Sequence, residues 1–443
     1  EYGQKKGPDN KGTMWWSFQD ESGPNVKEWV QKCGGGNYKP YEPYATDSAG
    51  VQVNLGPFLY PLRDRPDLIK RMRVHVIRHD FEVHHAAIPL AMTGMASGNQ
   101  RQASLGSHIE RFYQSNGPLE RTAPNSYIIY ENSMGIDANG DAASAVGLHS
   151  SSVRPMSIRL GPESKLAEQL GRGALGDKAA QHDNLVNHYL SRYMDRMRVK
   201  NGKMTRTPLL LDFQGGRQSV EVAPALAELA LGFDKFDSVS ACGRSESFVD
   251  EPDAGLRLAA RLLTHPDQPA RYVNVMEGGI LTDPNGFGYD THANHPEFMG
   301  INLVHFCKRF VSYVNEPGEN NPNKIDLDKT MVILNTEFGR SPGREYTKLH
   351  PNGSGLDHWP WGYIVITFGG YVDEDRAGMV GAIGEDGFAT EYFTPAEHRA
   401  AMLLASGIWP FNNESFRVGD VRGAETETEA ALILREKILG YSS

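Results

Sequence analysis

The sequence predicts an α/β protein with a mostly parallel central sheet and helices on both faces. In the last third of the chain, helical patterns alternate with short runs of β-branched residues, which is typical of a sheet buried between helices. Residues 160–205 carry many charges at helical spacing and predict a helical insertion or cap. The length of 443 residues allows two or three domains, or one large α/β domain with insertions.

The individual elements follow from local patterns. Strands are predicted where β-branched and aromatic residues cluster, at Thr13–Phe18, Arg73–Arg78, Arg271–Met276, Thr330–Asn335 and Tyr363–Phe368. Helices are predicted where apolar residues recur at helical spacing, at Ala86–Met92, Ala223–Leu231, Ala254–Leu263, Phe298–Val314 and Pro395–Ser406. Because ligands bind beyond the carboxyl ends of strands in open α/β sheets, we expect the chemistry in the loops that follow the strands.

Composition excludes several classes of protein. Lys and Arg number 45 against 55 Asp and Glu, for a net charge of -10, and the charges are scattered, so we expect no nucleic-acid partner. No apolar run approaches the roughly 18 residues that a membrane helix needs, so no membrane span is expected. The 47 Gly and 26 Pro predict many ordered loops, where sites tend to lie.

The cysteines and the first residue provide information on the cellular compartment of the protein. The three cysteines, Cys33, Cys242 and Cys307, are too few for a zinc ribbon or a disulfide framework and allow one disulfide at most. Residue 1 is Glu and not Met, as expected after removal of an export signal, although a trimmed chain would look the same.

The first candidate ligands follow the strand predicted at Arg271–Met276. Asp290, His292 and His295 lie within six residues, and carboxylate oxygen with neutral imidazole nitrogen is a good ligand set for zinc and similar ions. An alternative interpretation is that Asp290 caps the following segment and that both histidines are surface residues.

Two further motifs flank the last predicted strands. Glu337 and Arg340 follow the strand at Thr330–Asn335, and Asp357 with His358 precedes the next strand. An ion pair between Glu337 and Arg340, or a capped loop at Asp357, would explain either motif alone. Because all three motifs lie at strand ends in an order that one crevice could gather, a shared metal or anion site is the favoured interpretation.

Candidates for other site roles are fewer. His75, His79, His84 and His85 cluster around a predicted strand, and His85 at the start of the next helix is the candidate site group, with a buried core histidine as the alternative. No G-x-S-x-G elbow, phosphate-binding loop or dinucleotide-binding glycine motif occurs. Ser22, in the loop after the first strand, is the candidate nucleophile.

These motifs resemble those of a known family. Gly36–Pro40, His84-His85, Gly288–His292, Thr336–Arg340 and Asp357–Trp359 are similar to the blocks of the family of domains of unknown function 1501, a sulfatase-like branch of the alkaline-phosphatase-like superfamily. The resemblance covers nearly the whole chain and implies one α/β domain over residues 1–443, with the stretch 160–205 as its insertion. It also implies twin-arginine export to the periplasm or the extracellular space.

The resemblance further implies a metal site at the strand ends. Asp290, His292 and His358 would hold one divalent cation (zinc, calcium or manganese), while Glu337 and Asp20 would approach a second, and the cations would clamp an ester anion. The chain departs from the common pattern at Asn25, where the family often has Ser, and at Phe338, where the superfamily often has His.

Two hypotheses follow for function. In the first, the protein is an exported metal-dependent hydrolase of sulfate or phosphate esters, such as those of polysaccharides. A water molecule or Ser22 would attack, and Arg340 or His85 would hold the anion. In the second, it is a secreted structural or binding protein that retains the fold, and its partners are proteins of a secreted assembly.

Overall fold

The computed structural model describes most of the chain, with gaps that are largest between residues 117 and 246. The described residues are 5–6, 12–13, 26–34, 36, 42–116, 127–131, 156–159, 178–201, 238–240, 242–243, 247–266, 269–281, 288–292, 295–345, 355–384, 386–412 and 415–442.

Helices occupy both halves of the described chain. They are α1 (Val26–Lys32), α2 (Tyr60–Arg63), α3 (Pro66–Ile69), α4 (His84–Thr93), α5 (Leu105–Asn116), α6 (Ala179–Asn201), α7 (Glu251–Leu263), α8 (His295–Ser312), α9 (Pro395–Ala405) and α10 (Glu427–Ile433), with a π-helical turn at Leu434–Ile438. Helices α9 and α10 each begin with a reciprocal capping box, Thr394 with Glu397 and Thr426 with Glu429.

Strands are short and form several sheets. They are β1 (Lys5–Lys6), β2 (Gly12–Thr13), β3 (Glu42–Thr46), β4 (Gln52–Leu55), β5 (Met72–Ile77), β6 (Tyr127–Glu131), β7 (Met156–Arg159), β8 (Ser238–Ser240), β9 (Ser247–Val249), β10 (Tyr272–Val275), β11 (Met331–Leu334), β12 (Gly339–Glu345), β13 (Gly355–Trp359), β14 (Tyr363–Gly369), β15 (Gly378–Val380), β16 (Ala382–Ile383) and β17 (Ala389–Glu391).

The largest sheet of the described residues is mixed. Its strand order is β11-β14-β5-β15, in which β14 is antiparallel to both neighbours and β15 is parallel to β5. A separate sheet, β10-β6-β7, is entirely parallel. The mostly parallel central sheet predicted from the sequence is therefore replaced here by a four-stranded sheet in which antiparallel pairs dominate. Between β11 and β14 the described residues form the antiparallel pair β12-β13, and β11 and β14 run in opposite directions.

The four-stranded sheet is covered on both faces, as the α/β prediction requires. Every residue of β5 is buried. Ile77 packs in a cluster with Met402 and Leu403 of α9. Val74 and Val76 pack in another with residues of α8, including Phe310. Because side chains alternate along a strand, β5 contributes to both layers at once.

Most other predicted elements agree with the structure. The strands predicted at Arg73–Arg78, Arg271–Met276, Thr330–Asn335 and Tyr363–Phe368 and the helices at Ala86–Met92, Ala254–Leu263, Phe298–Val314 and Pro395–Ser406 are confirmed within a few residues. Helix α6 lies inside the predicted insertion 160–205, whereas residues 160–177, the rest of the strand predicted at Thr13–Phe18 and the helix at Ala223–Leu231 lie outside the described residues.

One disulfide is present, between Cys33 after α1 and Cys242 between β8 and β9, and Cys307 is a buried free thiol. The expectation of at most one disulfide is confirmed. In the part of the chain that the structure describes, no helix combines the length and apolar character that crossing a bilayer requires.

Candidate metal centre

Four segments meet at one edge of the hairpin β12-β13. His84 is the first residue of α4, Asp290 lies in the segment 288–292, and Glu337 lies between β11 and β12. Arg340 of β12 and His358 of β13 are direct partners across the hairpin, so their side chains lie on the same face. The fold brings these segments together although they are far apart in the sequence.

Three of these side chains form a group that could hold a metal ion. His84, Asp290 and His358 each offer one ligand atom, and the three atoms lie within 4.8 Å of one another. Nε2 of His358 is 3.2 Å from Oδ1 of Asp290, and Nε2 of His84 is 3.2 Å from its Oδ2. Two imidazole nitrogens and one carboxylate are the donor set of three-ligand zinc sites with a further position open.

A hydrogen bond at Nδ1 orients each imidazole, and Nε2 is the candidate ligand atom. Nδ1 of His84 is 2.8 Å from Oε1 of Glu337, and Nδ1 of His358 is 2.6 Å from the carbonyl oxygen of Glu82. Because a carboxylate and a carbonyl can only accept, both Nδ1 atoms donate, and each Nε2 is free to act as a ligand when its ring is neutral. This carboxylate–imidazole or carbonyl–imidazole pairing is common around metal-bound histidines.

One buried atom supports the fit of a cation. Nε2 of His84 is buried and has no hydrogen-bond partner among the described residues, although Asp290 lies at ion-pair distance. A buried polar atom without a partner is costly, so a ligand that bonds to it would stabilise this arrangement. The donor chemistry and this orphaned nitrogen both suit a divalent cation.

Charge is concentrated on Asp290. Burial raises the pKa of this carboxyl, but the contacts with His292, His358 and His84, together with the Arg340 charge, hold its pKa far below the usual range. Asp290 is therefore ionised at neutral pH. Its carboxylate is the negative centre around which the imidazoles and the guanidinium assemble.

Glu337 and Asp290 act together on His84. Burial alone lowers the pKa of His84, but its contacts with Asp290 and Glu337 outweigh burial and raise its pKa to about 9. Burial likewise raises the pKa of Glu337, whereas the His84 hydrogen bond lowers it, with a net fall. In the metal-free protein, His84 is thus a cation between two carboxylates at neutral pH, and a metal ion would replace its proton.

Arg340 pairs with Asp290 and not with Glu337, the partner considered from the sequence. Its Nη2 donates to Oδ1 of Asp290 and, at 3.1 Å, to the carbonyl of Tyr289, while Nη1 donates to the carbonyl of Leu356 at 3.2 Å. The guanidinium is largely buried, so its role in holding a substrate anion would require that it release part of this network.

The remaining predicted ligands lie at different distances from this group. Nε2 of His292 is 3.0 Å from Oδ1 of Asp290, so His292 is a third imidazole at the same carboxylate. Asp357 is exposed, and its Oδ1 accepts the backbone N–H of His358; alternation along β13 directs it to the other face. His295 is buried, with Nδ1 2.5 Å from the Thr291 hydroxyl, and burial lowers its pKa to about 3.

The candidates from the first loop and the histidine cluster are placed as follows. Ser22 and Asp20 lie outside the described residues. His85 is exposed, while its neighbour His84 belongs to the ligand group. Successive helical residues project about 100° apart, so only one of two adjacent histidines can face a given point. Sequence reasoning missed His84, and only the position of the helix start could have distinguished the two.

Neighbouring side chains hold the group in place. The ring of Phe338 stacks on that of His358 with centroids 4.3 Å apart, so Phe338 forms a wall of the site. Nε2 of His79 lies 2.5 Å from the carbonyl oxygen of Glu337. These contacts fix the orientation of His358 and of the Glu337 loop.

Hydrogen bonds from α8 anchor the segment that carries Asp290. The side chain of Asn302 in α8 accepts the N–H groups of Ile280 and Leu281 and donates to the carbonyls of Leu281 and Gly288. Gly288 has φ of +51°, and a Cβ there would lie 1.8 Å from the carbonyl oxygen of Gly278. Only glycine permits this approach of the two segments.

Comparison with known proteins gives the family. No curated protein and no solved structure matches the chain significantly. The family model described as "Protein of unknown function (DUF1501)" matches residues 67–410, which is well over half of the chain and includes every residue of the ligand group. The chain therefore belongs to the DUF1501 family.

Proposed function

We propose that this protein is a metal-dependent hydrolase of phosphate or sulfate esters and that His84, Asp290 and His358 hold its cation. The observation that carries the proposal is the convergence of two imidazole nitrogens and one ionised carboxylate from three separate segments within 4.8 Å. Chance clusters of acidic groups are usually exposed and lack oriented histidines, whereas each of these histidines has a hydrogen-bond acceptor at its other nitrogen.

A divalent cation at this position would polarise an ester oxygen and lower the pKa of a water molecule. Glu337 would keep His84 in its ligating tautomer, and the Glu82 carbonyl would do the same for His358. Arg340 contributes a positive charge beside Asp290, which favours an anionic group at the site. His292 is close enough to Asp290 to serve as an additional ligand or as a proton carrier.

The substrate class, the export of the protein and the number of cations belong to the same proposal. The sequence resembles sulfatase-like members of the alkaline-phosphatase-like superfamily, which favours a sulfate or phosphate ester as the substrate class. The disulfide between Cys33 and Cys242 is typical of an oxidising compartment and supports export. A second cation near Glu337 would compete with His84, which already occupies one oxygen of that carboxylate.

The test is hydrolysis of chromogenic phosphate and sulfate monoesters. We expect turnover that a strong chelator abolishes and that added zinc or manganese restores, and we expect Asp290→Asn to abolish turnover while the protein stays folded. Asp357→Asn is the matched control, because Asp357 is an exposed carboxylate outside the ligand group. Absence of ester turnover in metal-loaded protein would contradict the proposal.

One observation favours a second candidate function, a non-catalytic secreted binding or structural protein. Arg340 and protonated His84 neutralise Asp290 without any cation, so the cluster can also act as an ion-pair network that joins α4 to the hairpin. This alternative predicts that Asp290→Asn causes a large fall in melting temperature and that metal ions leave the melting temperature unchanged.

A further inference from the structure

Helix α6 carries large exposed side chains along one side. Tyr189 is 71% exposed, Leu185 58% and Tyr193 42%. Val186 and Leu190 are only partly exposed and mark the side on which the helix packs. Single exposed apolar residues are common on protein surfaces, but here three large side chains recur at intervals of four residues. They therefore form one continuous stripe on α6.

Basic side chains lie on the same side of α6 as this stripe. Arg192 and Arg196 are exposed, and they follow Tyr189 by three and seven residues, a spacing that keeps them on one side of an α-helix. Lys178, which directly precedes α6, is also exposed and lies about three turns before Tyr189. Three positive charges thus accompany the two tyrosines.

No carboxylate shares this side of the helix between residues 178 and 196. The two acidic residues of this stretch, Asp183 and Asp195, lie about 120° from Tyr189 around the helix axis, in opposite directions. The whole chain has a net charge of -10, so a purely cationic surface contrasts with the overall balance. The residues that form this surface, called the α6 face below, are Lys178, Leu185, Tyr189, Arg192, Tyr193 and Arg196.

The α6 face suits a polymer that carries repeated negative charges. Arg192 and Arg196 are separated by about 6 Å along the helix axis, so they can contact successive anionic groups of one chain. A guanidinium binds an oxyanion through two parallel hydrogen bonds. The tyrosine rings provide flat apolar surfaces with a polar end, which can pack against sugar rings and hydrogen-bond to their hydroxyls.

Two other anionic partners match the α6 face less closely. An amphipathic helix that lies on a lipid surface needs a broad apolar face, whereas Leu185 is the one aliphatic side chain of the α6 face. Nucleic acid is disfavoured by the net negative charge of the chain. The disulfide between Cys33 and Cys242, typical of an oxidising compartment, also favours an extracellular polymer.

We propose that the α6 face binds an anionic polysaccharide. The cations would pair with the negative groups of the polymer, and Tyr189 and Tyr193 would pack against its sugar rings. The α6 face shares no residue with the ligand group of the candidate metal centre. This binding therefore does not depend on the proposed hydrolase activity.

The test is a fluorescence anisotropy titration of fluorescein-labelled dextran sulfate with the protein. A chelator is present, so that metal-dependent hydrolysis cannot alter the probe. We expect saturable binding that weakens as salt is added, because a bound polyanion releases its condensed counterions. Uncharged dextran of the same length should not bind. Single-stranded DNA and phosphatidylglycerol vesicles should each bind at least about 10-fold more weakly than dextran sulfate.

Two double variants separate the charges from the rings. Arg192→Gln with Arg196→Gln should weaken binding and lower the slope of log affinity against log salt concentration by about 1 for each cation removed. Tyr189→Ser with Tyr193→Ser should weaken binding about 5-fold or more and leave that slope unchanged, because it removes apolar contact and no charge.

The matched control is Lys329→Gln with Lys437→Gln, which removes two exposed positive charges outside α6 and should bind dextran sulfate as the wild type does. All these substitutions are at exposed positions, so each variant should melt close to the wild type. The proposal is overturned if dextran sulfate does not bind, if DNA or the vesicles bind as tightly, or if the double arginine variant keeps the affinity of the wild type.

Discussion

At the residue scale, the hydrogen bond between His84 and Glu337 is the most consequential contact of the candidate metal centre. Glu337 accepts from Nδ1 of His84, which turns Nε2 towards Asp290. Glu337 was expected from the sequence to approach a cation itself, and its position in the structure suits an orienting group equally well. The two roles differ in what a conservative substitution would do.

We predict that Glu337→Gln weakens metal binding about 10- to 100-fold, because loss of an outer carboxylate costs roughly this factor at histidine sites. The measurement is the zinc dissociation constant in competition with a chromophoric chelator. Glu82→Gln is the control, since only the backbone carbonyl of this exposed residue contacts His358. Equal affinities for the wild type and Glu337→Gln would contradict the orienting role.

A second residue-scale prediction concerns His295. Burial lowers its folded-state pKa to about 3, whereas the unfolded value is about 6.5. The unfolded state therefore binds a proton first as the pH falls, so the stability contributed by the neutral ring is complete above about pH 6.5 and is lost between there and about pH 3.

We accordingly expect the wild type to lose stability between pH 7.5 and pH 5.0 and His295→Asn to lose about 2 kcal/mol less over the same interval. Urea unfolding at the two pH values measures this difference. His182→Asn, at an exposed position, should behave as the wild type does. If His295→Asn and the wild type lose equal stability, His295 is not buried as a neutral ring.

These residues also show what the sequence could predict of the site. Asp290, His292 and His358 share one carboxylate-centred group, as their positions at strand ends indicated. His84 could not be distinguished from His85, because the choice depends on the exact rotation of α4. The position of His295 close to Asp290 and His292 suggested a metal ligand, but the sequence could not show that His295 is buried against Thr291.

At the element scale, α4 is fixed at both ends. Its first residue is His84, and Gly94 caps its end; the φ of Gly94 is +76°, and a Cβ there would lie 2.9 Å from the Cα of Ala396 in α9. This close approach couples the helix that carries a candidate ligand to the capped start of α9.

We predict that Gly94→Ala destabilises the protein by about 2 kcal/mol or more, from the left-handed conformation and the clash with α9 together. Gly98→Ala is a matched control, because Gly98 also has positive φ, +85°, but open space around its Cβ position. It should cost only about 1 kcal/mol. Chemical denaturation measures both values, and equal losses would show that the helix contact contributes nothing.

The sequence predicted the element types better than their pairing. The strands β5, β11 and β14 were expected from their β-branched residues, but β12 and β13 were not, since Gly339–Glu345 contains Gly, Ser and Pro. Missing that hairpin meant missing the reversal that makes β11 and β14 antiparallel. The direction of a strand depends on the segment that connects it to the preceding strand. A hairpin leaves a weaker hydrophobic pattern in the sequence than a helix does.

At the scale of the whole molecule, the disulfide links segments 209 residues apart in the sequence. In the chain-entropy model, closing a loop of this size stabilises the folded state by about 5 kcal/mol. We therefore predict a marked fall in melting temperature on reduction.

Thiol alkylation followed by mass spectrometry checks the pairing directly. In denaturant without reductant, one cysteine, Cys307, should be labelled, and with reductant all three should be. Labelling of three cysteines without reductant in protein recovered from an oxidising compartment would contradict the disulfide.

The account of the whole protein depends on a cation held by His84, Asp290 and His358, and metal titration of two neighbouring variants tests this most directly. We predict that the wild type and His85→Gln each bind zinc or manganese at one equivalent, with equal affinity, after removal of metal by a chelator. His84→Gln should bind at least about 10-fold more weakly. Equal binding by His84→Gln and His85→Gln, or no binding by the wild type, would contradict the metal centre.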